Sequence, residues 1–189
     1  VNFGFSEARF LLGNIGYLNI TGFWDDGEDA ETKTRAAMEF LYGSDAIVID
    51  VRGNGGGSGE AVRLVQSYFL DEPTHVLTFH VRSEGIARES MTPAPPDKHH
   101  LGNVPLYILT SGGTGSAAED FSYIMKVHDK ATLVGATTAG AGHTENSYPI
   151  DPGFVLGIAV GRPESAVTVD GGEGSGVSPD ICVPAPEAF

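Results

Sequence analysis

Apolar positions along the chain switch repeatedly between short unbroken runs and stripes recurring every three to four residues, and glycines mark the switches. Gly16-Tyr-Leu-Asn-Ile-Thr21 reads as a short strand. The acids behind it, Asp25, Asp26, Glu28 and Asp29, suit the positive end of a helix that turns Ala30, Ala37, Met38 and Leu41 inward and stops at Gly43. Ala46 to Ile49 with Val51 is continuously apolar, the pattern of a strand buried on both faces of a parallel sheet. Gly53-Asn-Gly-Gly-Gly57 makes a tight turn into a helix with Ala61, Val62, Val65, Tyr68 and Phe69 on one stripe. The same unit recurs: Val104 to Leu109 as strand, Gly112 to Gly115 as turn, a helix carrying Ala117, Phe121, Ile124 and Met125, then a strand at Thr132 to Val134. Phe154 to Val160 and Ala166 to Val169 are further strands. This alternation predicts an α/β layered fold whose largely parallel sheet is flanked by helices. Residues 83–103 are proline-rich and aperiodic, and predict a long loop or lid.

Composition narrows the possibilities. A chain of 189 residues, 41% of them apolar, supports one core and one domain over 1–189. Eleven Lys and Arg against 25 Asp and Glu give a net charge of -14, which repels phosphate backbones and excludes nucleic acid as a partner. Cys182 is the single cysteine, so neither an internal disulfide nor a cysteine-based zinc site forms, and no closely spaced His and carboxylate set predicts a metal. No cofactor is expected. No apolar run is long enough to span a membrane and no signal peptide is present, while a start at Val1 without Met predicts a piece of something longer.

The chemistry concentrates at the second glycine turn. Gly113-Thr-Gly115-Ser-Ala-Ala118 fits G-x-G-x-x-A after a strand, but the next strand ends Val134-Gly-Ala-Thr-Thr138 without the acid a ribose needs. The other turn lacks the Lys-Ser/Thr of a phosphate loop, so nucleotide binding is set aside. Ser116 then has two readings: a helix cap worth about 1 kcal/mol, or a nucleophile at a helix start where amide N–H groups stabilise an oxyanion. The lipase elbow G-x-S-x-G is not matched, because Ala118 holds its last position. The local pattern leaves both readings open.

Four stretches in order carry a wider likeness: Asp50-Val-Arg-Gly-Asn-Gly-Gly-Gly57, Thr114-Gly-Ser-Ala-Ala-Glu-Asp-Phe121, Ala131-Thr-Leu-Val-Gly135 and Gly176-Val-Ser-Pro-Asp180. Together they resemble the core of the tail-specific, C-terminal processing serine peptidases, the group of the tricorn protease core and the interphotoreceptor retinoid-binding protein modules. The resemblance implies a Clp-protease/crotonase-like core acting on a peptide or protein substrate, with Ser116 as nucleophile and an oxyanion hole from Ala117 and Gly56 or its neighbour Gly57. It also implies a periplasmic or extracellular home. Members with a Ser–Lys dyad carry the lysine in G-x-x-T-x-G-K-G, and here Gly135-Ala-Thr-Thr-Ala-Gly-Ala-Gly142 has Ala141 in its place. The tricorn-like branch uses a histidine oriented by a glutamate that falls on Glu173. The base is then either a histidine from a helical region upstream of this chain or His143 within it. The alternative is a catalytically inactive module holding an apolar, retinoid-type ligand or a peptide on the same fold.

Overall fold

A computed structural model describes residues 2–25, 27–81, 85–167 and 173–183. The first turn of chain is a hairpin, β1 (Phe5–Leu11) antiparallel to β2 (Ile15–Ile20). Helix α1 (Glu28–Leu41) leads to β3 (Ala46–Asp50), and α2 (Gly59–Ser67) to the hairpin of β4 (His75–Val81) and β5 (Ile86–Met91). Then come β6 (Leu106–Thr110), α3 (Ala117–Val127), β7 (Ala131–Gly135), the long hairpin of β8 (Thr144–Asp151) and β9 (Phe154–Ser165), and the short β10 (Ile181–Cys182). Two sheets result. One has the order β1-β2-β3-β6-β7-β10, parallel except for β1; the other, β5-β4-β9-β8, is antiparallel.

Strand order rises along the main sheet, so right-handed crossovers bring α1, α2 and α3 to one face, where they pack side by side. That face holds the core: Leu18, Ile20, Ile47, Ile49, Ile108 and Leu133 from strands meet Met38, Leu41, Val62, Val65, Phe121 and Ile124 from helices. The opposite face is only half-covered, with Tyr17, Val48, Leu109 and Val134 partly exposed. The apolar run of β3 therefore alternates in burial instead of being enclosed on both sides.

Other elements also differ from the sequence expectation. Of the loop or lid expected over 83–103, residues 83 and 84 lie outside the described residues and the rest carries structure: Ile86–Met91 forms β5 against β4, and Leu101 N–H closes back on Tyr68 O at 2.7 Å. β9 runs on to Ser165, beyond the expected end at Val160. Ala166 and Val167 bend away after it, and Thr168 and Val169 lie outside the described residues.

The parallel register decides where chemistry can occur. β3 pairs with β6 and β6 with β7, so the turns leaving their carboxyl ends emerge side by side. These are the glycine turn 53–57, the serine turn 111–116 and the loop 136–143. Ligands of open parallel sheets gather at such an edge.

Candidate functional site

Ser116 heads α3 with φ +50° and ψ -121°, a region that a side chain adopts only under strain. The strand-to-helix corner is thus as sharp as a nucleophile elbow although the elbow's glycine spacing is absent. Its conformation is held from below by Glu119. That carboxylate is buried and accepts four hydrogen bonds, from Ser116 N–H (2.8 Å), Thr138 Oγ1–H (2.6 Å), Gly140 N–H (2.7 Å) and Ala141 N–H (2.8 Å). Thr138 Oγ1 in turn accepts from Val177 N–H (2.7 Å). Glu119 therefore ties the serine turn, the 136–143 loop and the Gly-Val-Ser-Pro-Asp segment together. It is the residue that sequence reasoning passed over, although Ser116-x-x-Glu119 is the spacing of a capping box and announces it.

The glycine turn presses against the serine. A Cβ on Gly56 would stand 2.7 Å from Ser116 Cβ, and one on Gly57 would stand 2.0 Å from Phe23 O; their φ angles of +114° and +136° suit glycine alone. The two glycines, alternatives in the sequence expectation, part here. Gly56 N–H already donates to Asn54 Oδ1 at 2.9 Å, whereas Gly57 N–H has no acceptor among the described residues. Gly56 C=O accepts from Phe23 N–H (2.9 Å), and because a trans peptide sets C=O and N–H on opposite sides, Gly57 N–H is directed away from Phe23. The same logic applies at the helix start. Ser116 C=O accepts from Glu119 and Asp120 N–H (2.8 and 3.0 Å), which turns Ala117 N–H outward, and it too lacks an acceptor among the described residues.

His143 and Glu173 meet across two loops. His143 N–H donates to Glu173 Oε2 at 2.9 Å, and the ring Nδ1 faces Glu173 Oε1 at 3.6 Å. Ser116, Ala117, Gly57, His143 and Glu173 line one cleft of about 1760 Å³, walled by Leu64 and Tyr123 on the helical side and by Leu77, Phe79 and Pro163 on the second sheet. The other histidines are engaged elsewhere: His75 with Leu77 O, His80 with Glu164, His99 with Glu39 and His100 with Leu70 O. His128 sits past the far end of α3, where burial first and the Lys130 charge second hold its pKa below the ordinary value.

Neither Lys126 nor Lys130 stands in for the dyad lysine. Lys126 Nζ is bound to Ser178 O and Asp180 Oδ1, both at 2.8 Å, and Lys130 Nζ to Asp71 Oδ2 at 2.7 Å. Beside the site, Asp50 is 2% exposed. Burial opposes its ionisation, but hydrogen bonds from the Arg52 side chain and backbone and from Tyr17 outweigh that, and its carboxyl lies below the usual range. Among the described residues, no group of three His, Cys, Asp or Glu side chains could hold a metal ion.

The model of peptidase family S41 matches residues 14–183, most of the chain. The chain belongs to that family. Among its relatives, carboxyl-terminal-processing peptidase 2, chloroplastic, of Arabidopsis thaliana is 29% identical over 177 residues, covering 93% of this chain and 32% of the relative. The carboxy-terminal processing protease CtpA of Bacillus subtilis is 26% identical, over 92% of this chain and 36% of its own length. The chain thus spans about a third of the length of these curated relatives. The photosystem II D1 C-terminal processing protease superposes with a TM-score of 0.70 at 24% identity, over 96% of this chain and 46% of that one. The tricorn protease does so with 0.59 at 18% identity, over 91% and 15%. At these identities the structural likenesses speak to fold.

Proposed function

We propose that this chain is the core of an S41 serine peptidase that processes peptides or proteins through an acyl-enzyme on Ser116. Ser116 Oγ attacks the scissile carbonyl while His143 Nε2 takes its proton. Because Nδ1 is the nitrogen facing Glu173, Nε2 is the one left for the serine, and Glu173 balances the imidazolium that forms. The oxyanion is received by Ala117 and Gly57 N–H, donors that each contribute on the order of 10²–10³ in rate. Gly56, with its own N–H occupied, serves by the Cβ it lacks. Collapse expels the amine with the proton from His143, and water then returns the acyl group by the reverse path.

The observation that carries the reading is the strained serine standing beside two outward amides in the cleft that also holds His143 and Glu173. The substrate enters as an extended chain between the helices and the second sheet. An extracytoplasmic home, periplasmic or extracellular, accords with the family, and no described helix is long and apolar enough to cross a membrane. One observation favours a second reading, a binding module for an apolar ligand or peptide: Ala141 stands at the dyad lysine's position. A fluorophosphonate probe on the natural-length protein separates the two. Labelling that disappears in Ser116→Ala and drops at least a hundredfold in His143→Ala supports the peptidase with His143 as base. Labelling that survives His143→Ala moves the base to a histidine outside this chain, and no labelling leaves the binding module.

A further inference from the structure

We infer that Asn54 is a positioning residue for the oxyanion hole: its side-chain oxygen fixes the glycine turn so that the Gly57 amide, and no carbonyl, faces the reacting carbonyl. This rests on the acyl-transfer reading above and extends it. The run Gly53-Asn54-Gly55-Gly56-Gly57 contains four glycines and one side chain. A turn of that composition has little intrinsic preference for one peptide orientation over its flip. A flip of the 55–56 or 56–57 peptide would bring a carbonyl oxygen to where negative charge must develop. The fold therefore needs an external restraint.

Asn54 supplies it at three atoms. Its N–H donates to Val51 O (3.0 Å), its C=O accepts from Gly115 N–H (3.0 Å), and its Oδ1 accepts from Gly56 N–H (2.9 Å). The first two bonds are main-chain and would survive any side chain. The third depends on the amide and is the one that sets the 55–56 peptide plane. Through it, with Phe23 holding Gly56 C=O on the far side, the Gly57 N–H direction is determined. The Gly115 bond runs into the serine turn, so the same residue joins the two turns that provide the two donors.

A second observation separates this role from packing. Asn54 is 0% exposed, yet its Nδ2 has no hydrogen-bond partner among the described residues. A buried donor left unmet destabilises the folded state, while the oxygen spares a second buried donor, Gly56 N–H, so the two halves of the amide largely offset in stability. Stability alone does not explain an asparagine here. The oxygen's bond to Gly56 does, and it also fixes which way the amide lies, because only the oxygen can accept.

The test uses the natural-length protein with a fluorophosphonate and a peptide ester, comparing wild type, Asn54→Ala and Asn54→Ser, each checked for folding by urea unfolding. Asn54→Ala is expected to lower the acylation rate and kcat about 10²-fold. KM, and product-peptide affinity in a Ser116→Ala background, should change less than about threefold, since the substrate-binding walls are untouched. Asn54→Ser keeps an uncharged oxygen that can accept from the N–H two residues on, and should recover the rate to within about tenfold of wild type. The proposal is overturned if Asn54→Ala acylates as fast as wild type, if kcat and KM suffer together, or if Asn54→Ser fails to rescue. Failure of both variants to fold would likewise assign Asn54 to the scaffold and overturn it. A wild type that does not acylate at all refutes the peptidase reading itself, a result distinct from any of these.

Discussion

Glu119 packs under Ser116, and its four accepted bonds are what keep Ser116 at a positive φ. Oε2 holds Ser116 and Ala141 N–H; Oε1 holds Gly140 N–H and the Thr138 hydroxyl. In Glu119→Gln the NH2 group settles in the Oε1 position, where the Thr138 hydroxyl can rotate to accept but Gly140 N–H cannot. One backbone donor is then left unmet, a loss of about 1–3 kcal/mol in urea unfolding. Ser116 N–H keeps its acceptor, so acylation should fall only modestly. Glu119→Ala removes all four bonds and frees the elbow; small displacements of a nucleophile cost about 10² in rate, so its acylation should fall at least that far. Equal labelling rates in the two variants would show that the elbow holds itself.

Arg63 links three elements where the cleft is built. Nearly buried on α2, it donates to Ser90 Oγ of β5 (2.8 Å), Gln66 Oε1 (2.7 Å) and the Asp120 carboxylate one turn along α3. Arg63→Met leaves Asp120 desolvated and unpaired, a loss of about 3–5 kcal/mol, while Arg63→Met with Asp120→Leu should regain most of it. Urea midpoints of the four-member cycle measure the coupling, and a double mutant no better than the single would refute it. Elements of this kind were unevenly legible. Helices and parallel strands followed from periodicity, because α1, α2 and α3 each bury a stripe and β3, β6 and β7 are apolar runs. β5 and β8 did not. Thr144-Glu-Asn-Ser-Tyr-Pro-Ile-Asp151 is exposed along its whole length and contains a proline, so no buried face imprints a two-residue period on it. The site was legible in its residues and hidden in its angles. Ser116 and Glu173 fall on motif positions and His143 is the internal alternative to an upstream histidine, and the capping-box spacing announces Glu119. Spacing does not encode the strain at Ser116, nor the division of labour between Gly56 and Gly57, which depends on hydrogen bonds to Asn54 and Phe23.

At the scale of the whole molecule, charge acts in two opposing ways as pH falls. With a net charge of -14 the folded chain repels itself at neutral pH, so added salt should raise the urea midpoint at pH 7 by screening surface carboxylates within about 8–10 Å. Protonating exposed acids relieves the same repulsion on the way down to pH 5. Asp50 and Asp180 act in the other direction. For both, burial raises the pKa but is outweighed, at Asp50 by Arg52 and Tyr17, at Asp180 by Lys126 and the Leu133 N–H. Their folded pKa values therefore lie below the unfolded ones, near 3.9. The stability they contribute is fully present above that value and is lost as pH falls through the folded pKa. His128 adds an earlier loss. Its folded pKa is depressed, so the unfolded chain takes up a proton first, and stability declines from about pH 6.5 downward until the folded histidine also titrates. Three variants resolve the profile. His128→Asn should flatten the decline between pH 7 and 5.5. Asp50→Asn should be less stable than wild type at pH 7, and the gap should narrow as pH falls below about 3.9. Asp180→Asn should do the same with a smaller gap, since Asp180 is more exposed. A gap for Asp50→Asn that stays constant down to pH 2.5 would mean that Arg52 and Tyr17 hold its shape and not its charge.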